Sequence, residues 1–450
     1  MYKSLVSIKY ISSTNKINYQ KGCAMNIKFR LTVLSFLQFF IWGAWLITIS
    51  NYWFGTRHWG GKEFGDVFTT LGISSIIMPA LTGIIADRWI NSEKLYGILH
   101  LLGGLALVYI VHIDSPDKFY WIILVAMLCY MPTISLSNSI GYTILKKNNF
   151  DVVKVFPPIR VWGTIGFIAA MWFTNLTGNK ASANMFYISA AASFVLGIYS
   201  FTLPACPPQK LISQNATLAE KLGLDAFKLF ANYKTALFFV FSMFLGGALQ
   251  LTNMYGDVFL SDFSNVPKYA DSFVAKYSTI ILSISQISET LFILAIPFFL
   301  KRFGIKKVML MSMLAWVLRF ALFAYGDPSE GLWMIIASCI VYGMAFDFFN
   351  ISGSLFIETT TNPAIRSSAQ GLFMMMTNGF GAYFGAKLSG IAIDKYFTLA
   401  DKSRDWRNIW LSFACYALII AILFGIMFKH KHDPDAITNI THDPGILPVE

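Results

Sequence analysis

The 450-residue chain is 56% hydrophobic and 16% aromatic, contains 41 Phe, and carries 13% charged residues, roughly half the share typical of soluble domains. With a mean hydropathy of +0.56, this excludes ordinary soluble, disordered and collagen-like chains, and five scattered cysteines exclude a small disulfide scaffold. The net charge of +11 invites a nucleic-acid reading, but the basic residues fall between apolar runs, as membrane-topology signals do; the expected solvent is a lipid bilayer, with no nucleic-acid partner.

In chain order, residues 1–24 hold four Lys, no acid and no long apolar core, so they do not read as a signal peptide. The following MNIKFRLTVLSF is a natural lead into a span, so Met25 is the expected start and the preceding segment is expected to be dispensable. A bilayer core takes about 20 apolar residues per helix, and twelve such runs follow. The first six are 31–50, 64–86, 95–113, 119–145, 161–177 and 184–203; the second six are 234–260, 275–300, 308–325, 332–357, 368–394 and 408–428. The expected fold is thus an all-α polytopic membrane protein of twelve transmembrane helices. Its parts are an N-terminal cytoplasmic segment 1–30, a six-helix bundle 31–203, a central cytoplasmic loop 204–233, a second six-helix bundle 234–428 and a tail 429–450. With both termini cytoplasmic, Lys plus Arg number 23 on that side and 10 on the other, which favours this orientation.

The halves echo one another after their second helix, where GIIADRW (Gly83–Trp89) is answered by FFLKRFGIKK (Phe298–Lys307). A short charged loop at corresponding places suggests parallel repeats, the architecture of the major facilitator superfamily. Asp87 and Arg88 fit that superfamily's pattern of Gly, three residues, then Asp-Arg, and are expected to act in conformational gating; the plain alternative is a solvated turn. Cys129, Cys339 and Cys415 lie in apolar runs and Cys206 in a loop, without metal-ligand spacing; they read as packing residues, and no metal site is expected.

An ionised side chain at the bilayer centre costs about 2.5–3.5 kcal/mol on insertion scales, so each one there needs a partner or a task. The eighth, ninth and tenth spans carry Glu289, Arg319 and Asp347. A buried salt bridge is one reading for Arg319. For the acids a proton-carrying role is favoured, because burial raises a carboxyl pKa, a nearby cation lowers it, and a conformational change can switch between the two. Gln250 and Asn253 on the seventh span, and Gln286 and Glu289 on the eighth, stand at i, i+3 and project from one face each. Such groups suit sugar hydroxyls or base edges, although interhelical bonding explains many membrane amides. Arg160 follows Pro157 and Pro158 at the opening of the fifth span, as a binding residue or a snorkelling anchor, and shares a face with Thr164 and Phe167. Phe167, Tyr342 and Phe346 can stack on an aromatic ring. Gly381 and Gly385 form a GxxxG pair suited to close helix approach. The Lys387 that follows belongs to no phosphate-binding loop, and without HExxH, GxSxG or paired His the chain does not read as an enzyme.

The strings LSFLQFFIWGAWL, DRW, YMPT, FPPIRVWGTIGF, LQLTNMYG, SISQISETLFIL, LRFALFAYGDP, VYGMAFDFFNISGS and SSAQGLFMMMTNGFG, in that order from about Met25 to Lys431, resemble the bacterial nucleoside:proton symporters of the major facilitator superfamily. The resemblance implies nucleoside contacts at Arg160, Thr164, Phe167, Gln250, Asn253, Gln286, Glu289, Tyr342 and Phe346, and proton coupling at Asp347, with Glu289 and Arg319 as further candidates. It also implies an inner-membrane, monomeric importer of uridine, adenosine or similar nucleosides, with protons as coupling ion and no cofactor. Ala248 departs from the acid expected in some relatives. A disaccharide:proton symporter of the same fold is the alternative; a membrane sensor and a membrane enzyme are more distant ones.

Overall fold

The computed structural model describes residues 26–150, 152–208, 224–362 and 366–431. The expected segment 1–24, the middle of the central loop and the end of the tail lie outside the described residues. What is described is almost wholly helical, with one isolated bridge between Thr398 and Arg404.

In the first half, α1 runs over 26–43 and continues through turns into a π-helical segment, Asn51–Thr56. It is followed by α2 (Gly61–Arg88), α3 (Ser92–Ile110), α4 (Pro116–Lys147), α5 (Val152–Leu176) and α6 (Asn184–Ser200). The second half opens with a 3-10 segment, Leu224–Ala231, then α7 (Tyr233–Asp262). Asn232 starts α7 by accepting from the backbone of Lys234 (3.0 Å) and Thr235 (3.2 Å), which satisfies two of the orphan amides of a helix N-terminus. The segment Ser278–Tyr325 is helical except at Gly304, where φ 75° and ψ 166° break it into arms 278–303 (α8) and 305–325 (α9). Next comes α10 (Leu332–Thr360), then an interrupted passage, α11, made of Arg366–Met374, a π segment Met375–Gly381, Ala382–Ala392 and a second π segment Ile393–Phe397; α12 is Trp406–Met427.

Eight of these helices are long and apolar enough to cross a bilayer, the Ser278–Tyr325 pair counting as one. The other expected crossings fall on 26–56, on Asn184–Ser200 and on the interrupted α11. Large side chains such as Leu294, Leu388 and Ile426 stay exposed on the outside, where hydrocarbon is their partner.

Three sequence-derived boundaries move. The fifth helix begins at Val152 rather than 161, so Pro157 and Pro158 lie in its second turn and Arg160 sits over two turns inside it rather than at its mouth; each proline leaves one backbone carbonyl of the first turn without its helical hydrogen bond. Asp87 and Arg88 belong to the last turn of α2 rather than to the loop beyond. The expected loop between the eighth and ninth spans shrinks to Gly304, whose left-handed φ turns the chain without a Cβ to clash.

The Gly381 and Gly385 pair does bring helices together. A Cβ on Gly385 would come within 2.6 Å of the Gly247 Cα on α7, and one on Gly381 within 2.9 Å of the Gly246 Cα. The same device joins the halves: a Cβ on Gly72 of α2 would meet the Gly379 carbonyl of α11 at 2.6 Å.

Candidate functional site

Both halves contribute one end of their helices to a polar seal on the face opposite residues 26 and 431, here called the far face. Asn51 of α1 donates to the Asp257 carboxylate of α7, and Thr279 of α8 donates to the same carboxylate at 3.0 Å. Asn175 of α5 donates to Thr279 (3.4 Å), and the Trp172 indole to Ser283 (2.8 Å). Asp394 of α11 accepts from the backbone of Gly61 (2.7 Å) and Lys62 (2.6 Å) at the start of α2, where the helix dipole favours an anion. Lys387 of α11 forms an ion pair with Asp66 of α2.

This seal fixes the depth of the candidate residues. At 1.5 Å per residue, Gln250 and Gln286 each lie seven residues, about 10 Å, inward of the Asp257–Thr279 bond. Phe167 lies eight residues inward of Asn175, about 12 Å by the same rise. Side chains chosen from three separate spans therefore occupy one level.

On the side of the second half, Arg319 is the hub. Fully buried, it donates to the Ser338 carbonyl of α10 at 2.7 Å, to Thr252 of α7 at 3.3 Å and to Ser285 of α8 at 3.4 Å. Its guanidinium lies 4.6 Å over the Tyr342 ring, and Tyr342 stacks on Phe346 at 6.0 Å with planes 8° apart. Glu289 and Asp347 both act on the Tyr342 phenol through space, and Asp347 is fully buried. Close packing sets this arrangement, since a Cβ on Gly343 would meet the Glu289 amide at 2.7 Å. The hydrogen bonds of Arg319 go to a backbone carbonyl and two hydroxyls, and its guanidinium lies over the Phe323 and Tyr342 rings. Gln250 and Gln286 each hold a buried amide oxygen without a hydrogen-bond partner among the described residues. Asn253 is half-buried one turn from Gln250.

On the side of the first half, Arg160 lies 4.0 Å over the Phe39 ring of α1, Thr164 is half-buried, and Phe167 packs edge-on against Trp42 at 6.4 Å. Beneath them is a buried network that the sequence reading missed. Gln38 donates to Thr133 (2.9 Å) and its amide oxygen meets the Tyr96 hydroxyl and His100 (3.0 Å); Tyr130 donates to the Gln38 carbonyl (2.7 Å). It ties α1 to α3 and α4, and Tyr130 in turn packs on Trp42 at 5.6 Å. Also missed were Asp66, Asp257 and Asp394; an acid inside an apolar run was the available signal. Arg88 is half-buried at the opposite end of α2, away from this level.

A membrane fold of two helical halves with amides, aromatic rings and buried ionisable groups between them has the architecture of a secondary transporter. The family model for nucleoside H+ symporters matches residues 25–433, and the chain belongs to that family. It is 52% identical over 421 residues to the xanthosine permease of Escherichia coli (strain K12), covering 93% of this chain and 100% of that one. It is 50% identical to the nucleoside permease NupG of the same organism, covering 91% and 97% respectively. The crystal structure of NupG superposes with a TM-score of 0.84 at 50% identity, covering 90% of this chain and 100% of that one. A bacterial homologue of the lysosomal transporter Spinster, 12% identical, shares the fold with a TM-score of 0.67. The relatives are permeases and transporters, not enzymes.

Proposed function

We propose that this protein imports nucleosides together with protons across the bacterial inner membrane by alternating access. The observation that carries the reading is the pair of buried, unpartnered amide oxygens of Gln250 and Gln286 at one depth, beside the Tyr342–Phe346 stack. Aromatic faces take a base, and amides with both donors and acceptors take ribose and base edges. Xanthosine and nucleoside permeases as relatives support the same substrate class.

In this reading the far face is periplasmic, as the excess of basic residues on the other side supports. A nucleoside entering from there sits between Arg160, Thr164 and Phe167 of one half and Gln250, Asn253, Gln286, Glu289, Tyr342 and Phe346 of the other. Asp347 takes a proton in the same cycle. Arg319 holds the Tyr342 ring, the aromatic face beside which Glu289 and Asp347 lie on neighbouring helices. A proton moving inward gains about 2.3 kcal/mol per 100 mV, enough to drive a neutral solute uphill. Asp87 and Arg88 act at the cytoplasmic end of α2 in the conformational change, and the working unit is a monomer.

The test is the pH outside lightly buffered, de-energised cells expressing the protein, on adding uridine or, separately, a disaccharide. Alkalinisation with uridine alone supports nucleoside:proton symport. Alkalinisation with the disaccharide alone means a sugar symporter, and entry of labelled uridine without a pH change means uncoupled transport.

A further inference from the structure

Asp257 is a carboxylate that the mechanism above does not use. It is 1% exposed and lies on the α7 face that carries Gln250 and Asn253, at i+7 and i+4. Unlike Asp262 and Asp66, it has no cation in direct contact among the described residues. Asp262, further along α7, is bonded to Arg404 at 2.8 Å, and Asp66 is paired with Lys387. The cation facing Asp257 is Lys180, from the turn after α5. Its ammonium donates instead to the carbonyls of Ala275 (2.9 Å) and Lys276 (3.1 Å) and the hydroxyls of Ser278 (3.1 Å) and Ser261 (3.3 Å). Lys180 therefore reaches Asp257 through space and through the shared Ser278 hydroxyl, not by a direct ion pair. From α1 the carboxylate faces Asn51 and from α8 the hydroxyls of Ser278 and Thr279, none of which titrates. The Lys276 ammonium is turned to Asp271 at 2.9 Å.

One oxygen of Asp257 accepts from the Asn51 amide and the other from the Thr279 hydroxyl. An ionised carboxylate serves both donors, whereas a protonated one has a donor of its own. Protonation of the oxygen facing Asn51 removes the negative charge, so the charge-assisted bond that Asn51 donates across the two halves becomes a weaker neutral one, and the attraction to Lys180 is lost.

We propose that Asp257 is a second proton-accepting residue of the transport cycle, whose ionised form pins the periplasmic seal and whose protonated form releases it for substrate entry. The proposal rests on the sidedness and proton coupling put forward above. The proton comes from periplasmic water as the seal opens and returns there as it closes, so it adds nothing to the transported stoichiometry and acts before Asp347.

The test reads the seal directly, without substrate. Spin labels on Thr177→Cys and Asn265→Cys, both exposed on the far face in opposite halves, are placed in the full chain with its native cysteines replaced by alanine. Their separation is measured in nanodiscs at pH 8.0 and 5.5. The expected result is one short distance at pH 8.0, a longer component growing at pH 5.5, and the longer component at both values in Asp257→Asn. Asn51→Ala breaks the pin without altering the carboxylate, and is expected to bring out the longer component at pH 8.0. Asp347→Asn is expected to keep the pH response. A parent distance that ignores pH, an Asp257→Asn variant that responds as the parent does, or an Asn51→Ala variant that stays short at pH 8.0 would overturn the proposal. So would loss of the response in Asp347→Asn. Failure of uridine uptake would instead count against the transport reading, since the spin-label measurement involves no nucleoside.

Discussion

Arg319 on α9 and Tyr342 on α10 are held face to face, guanidinium over ring at 4.6 Å, and the same guanidinium donates to the Ser338 carbonyl one turn earlier on α10 at 2.7 Å. A buried cation is thus anchored by a backbone carbonyl, two hydroxyls and an aromatic face. A hydrogen bond to a charged group contributes about 1.5–3 kcal/mol, and a desolvated cation–π contact about 2 kcal/mol. Arg319→Ala is expected to lower the thermal unfolding midpoint in detergent markedly. Arg319→Lys keeps the charge but loses the planar fork and should fall between the two. A midpoint unchanged in both variants would remove Arg319 from its place as hub of the second half.

Asp347, fully buried on α10, is the proposed coupling carboxylate. Asp347→Asn keeps the shape and removes the titration, so uphill accumulation of labelled uridine should vanish while exchange of internal for external uridine persists. Accumulation at the parent level in energised cells would exclude the assignment.

Glu289 and Phe167 are proposed to contact substrate from opposite halves. Glu289→Gln and Phe167→Ala are each expected to raise the half-saturation concentration for uridine about tenfold, equivalent to roughly 1.4 kcal/mol, with the protein still monodisperse. Unaltered half-saturation in both would dissolve the proposed pocket.

Glycines at close approaches should not tolerate side chains, while others should. Gly385 faces the Gly247 backbone, whereas nothing lies within 4 Å of the space a Cβ on Gly371 would fill. Gly385→Val is expected to reduce the yield of folded protein sharply, overpacking costing about 1–3 kcal/mol or more, and Gly371→Ala to be neutral. Equal yields of the two would contradict the packing of α7 on α11.

Cys206 lies beyond the end of α6, its amide donating to Glu93 at 2.8 Å. Burial first, and then the Glu93 charge, push its thiol up to about 12. Because the thiolate is the reactive form, Cys206 should resist maleimide at pH 7.5 in the folded protein and react once unfolded, as peptide mass spectrometry would report. Rapid labelling in the native state would show the loop to be open.

Much of this protein is legible in its sequence because the bilayer imposes a one-dimensional rule. Apolar runs of span length, the excess of basic residues on one side and the GxxxG pair at Gly381 and Gly385 each depend on residues close together in the chain. So does the list of polar residues within spans, which is why Glu289, Arg319 and Asp347 stand out. The depth and rotation of one helix against another depend on contacts between residues tens to hundreds of positions apart. That is why the bonding of Asn51 to Asp257, the pairing of Asp66 with Lys387, the network around Gln38 and the carbonyl and ring that hold Arg319 could not be read from spacing. Local pattern determined which groups enter the membrane; only the packing of the two halves decided which of them meet.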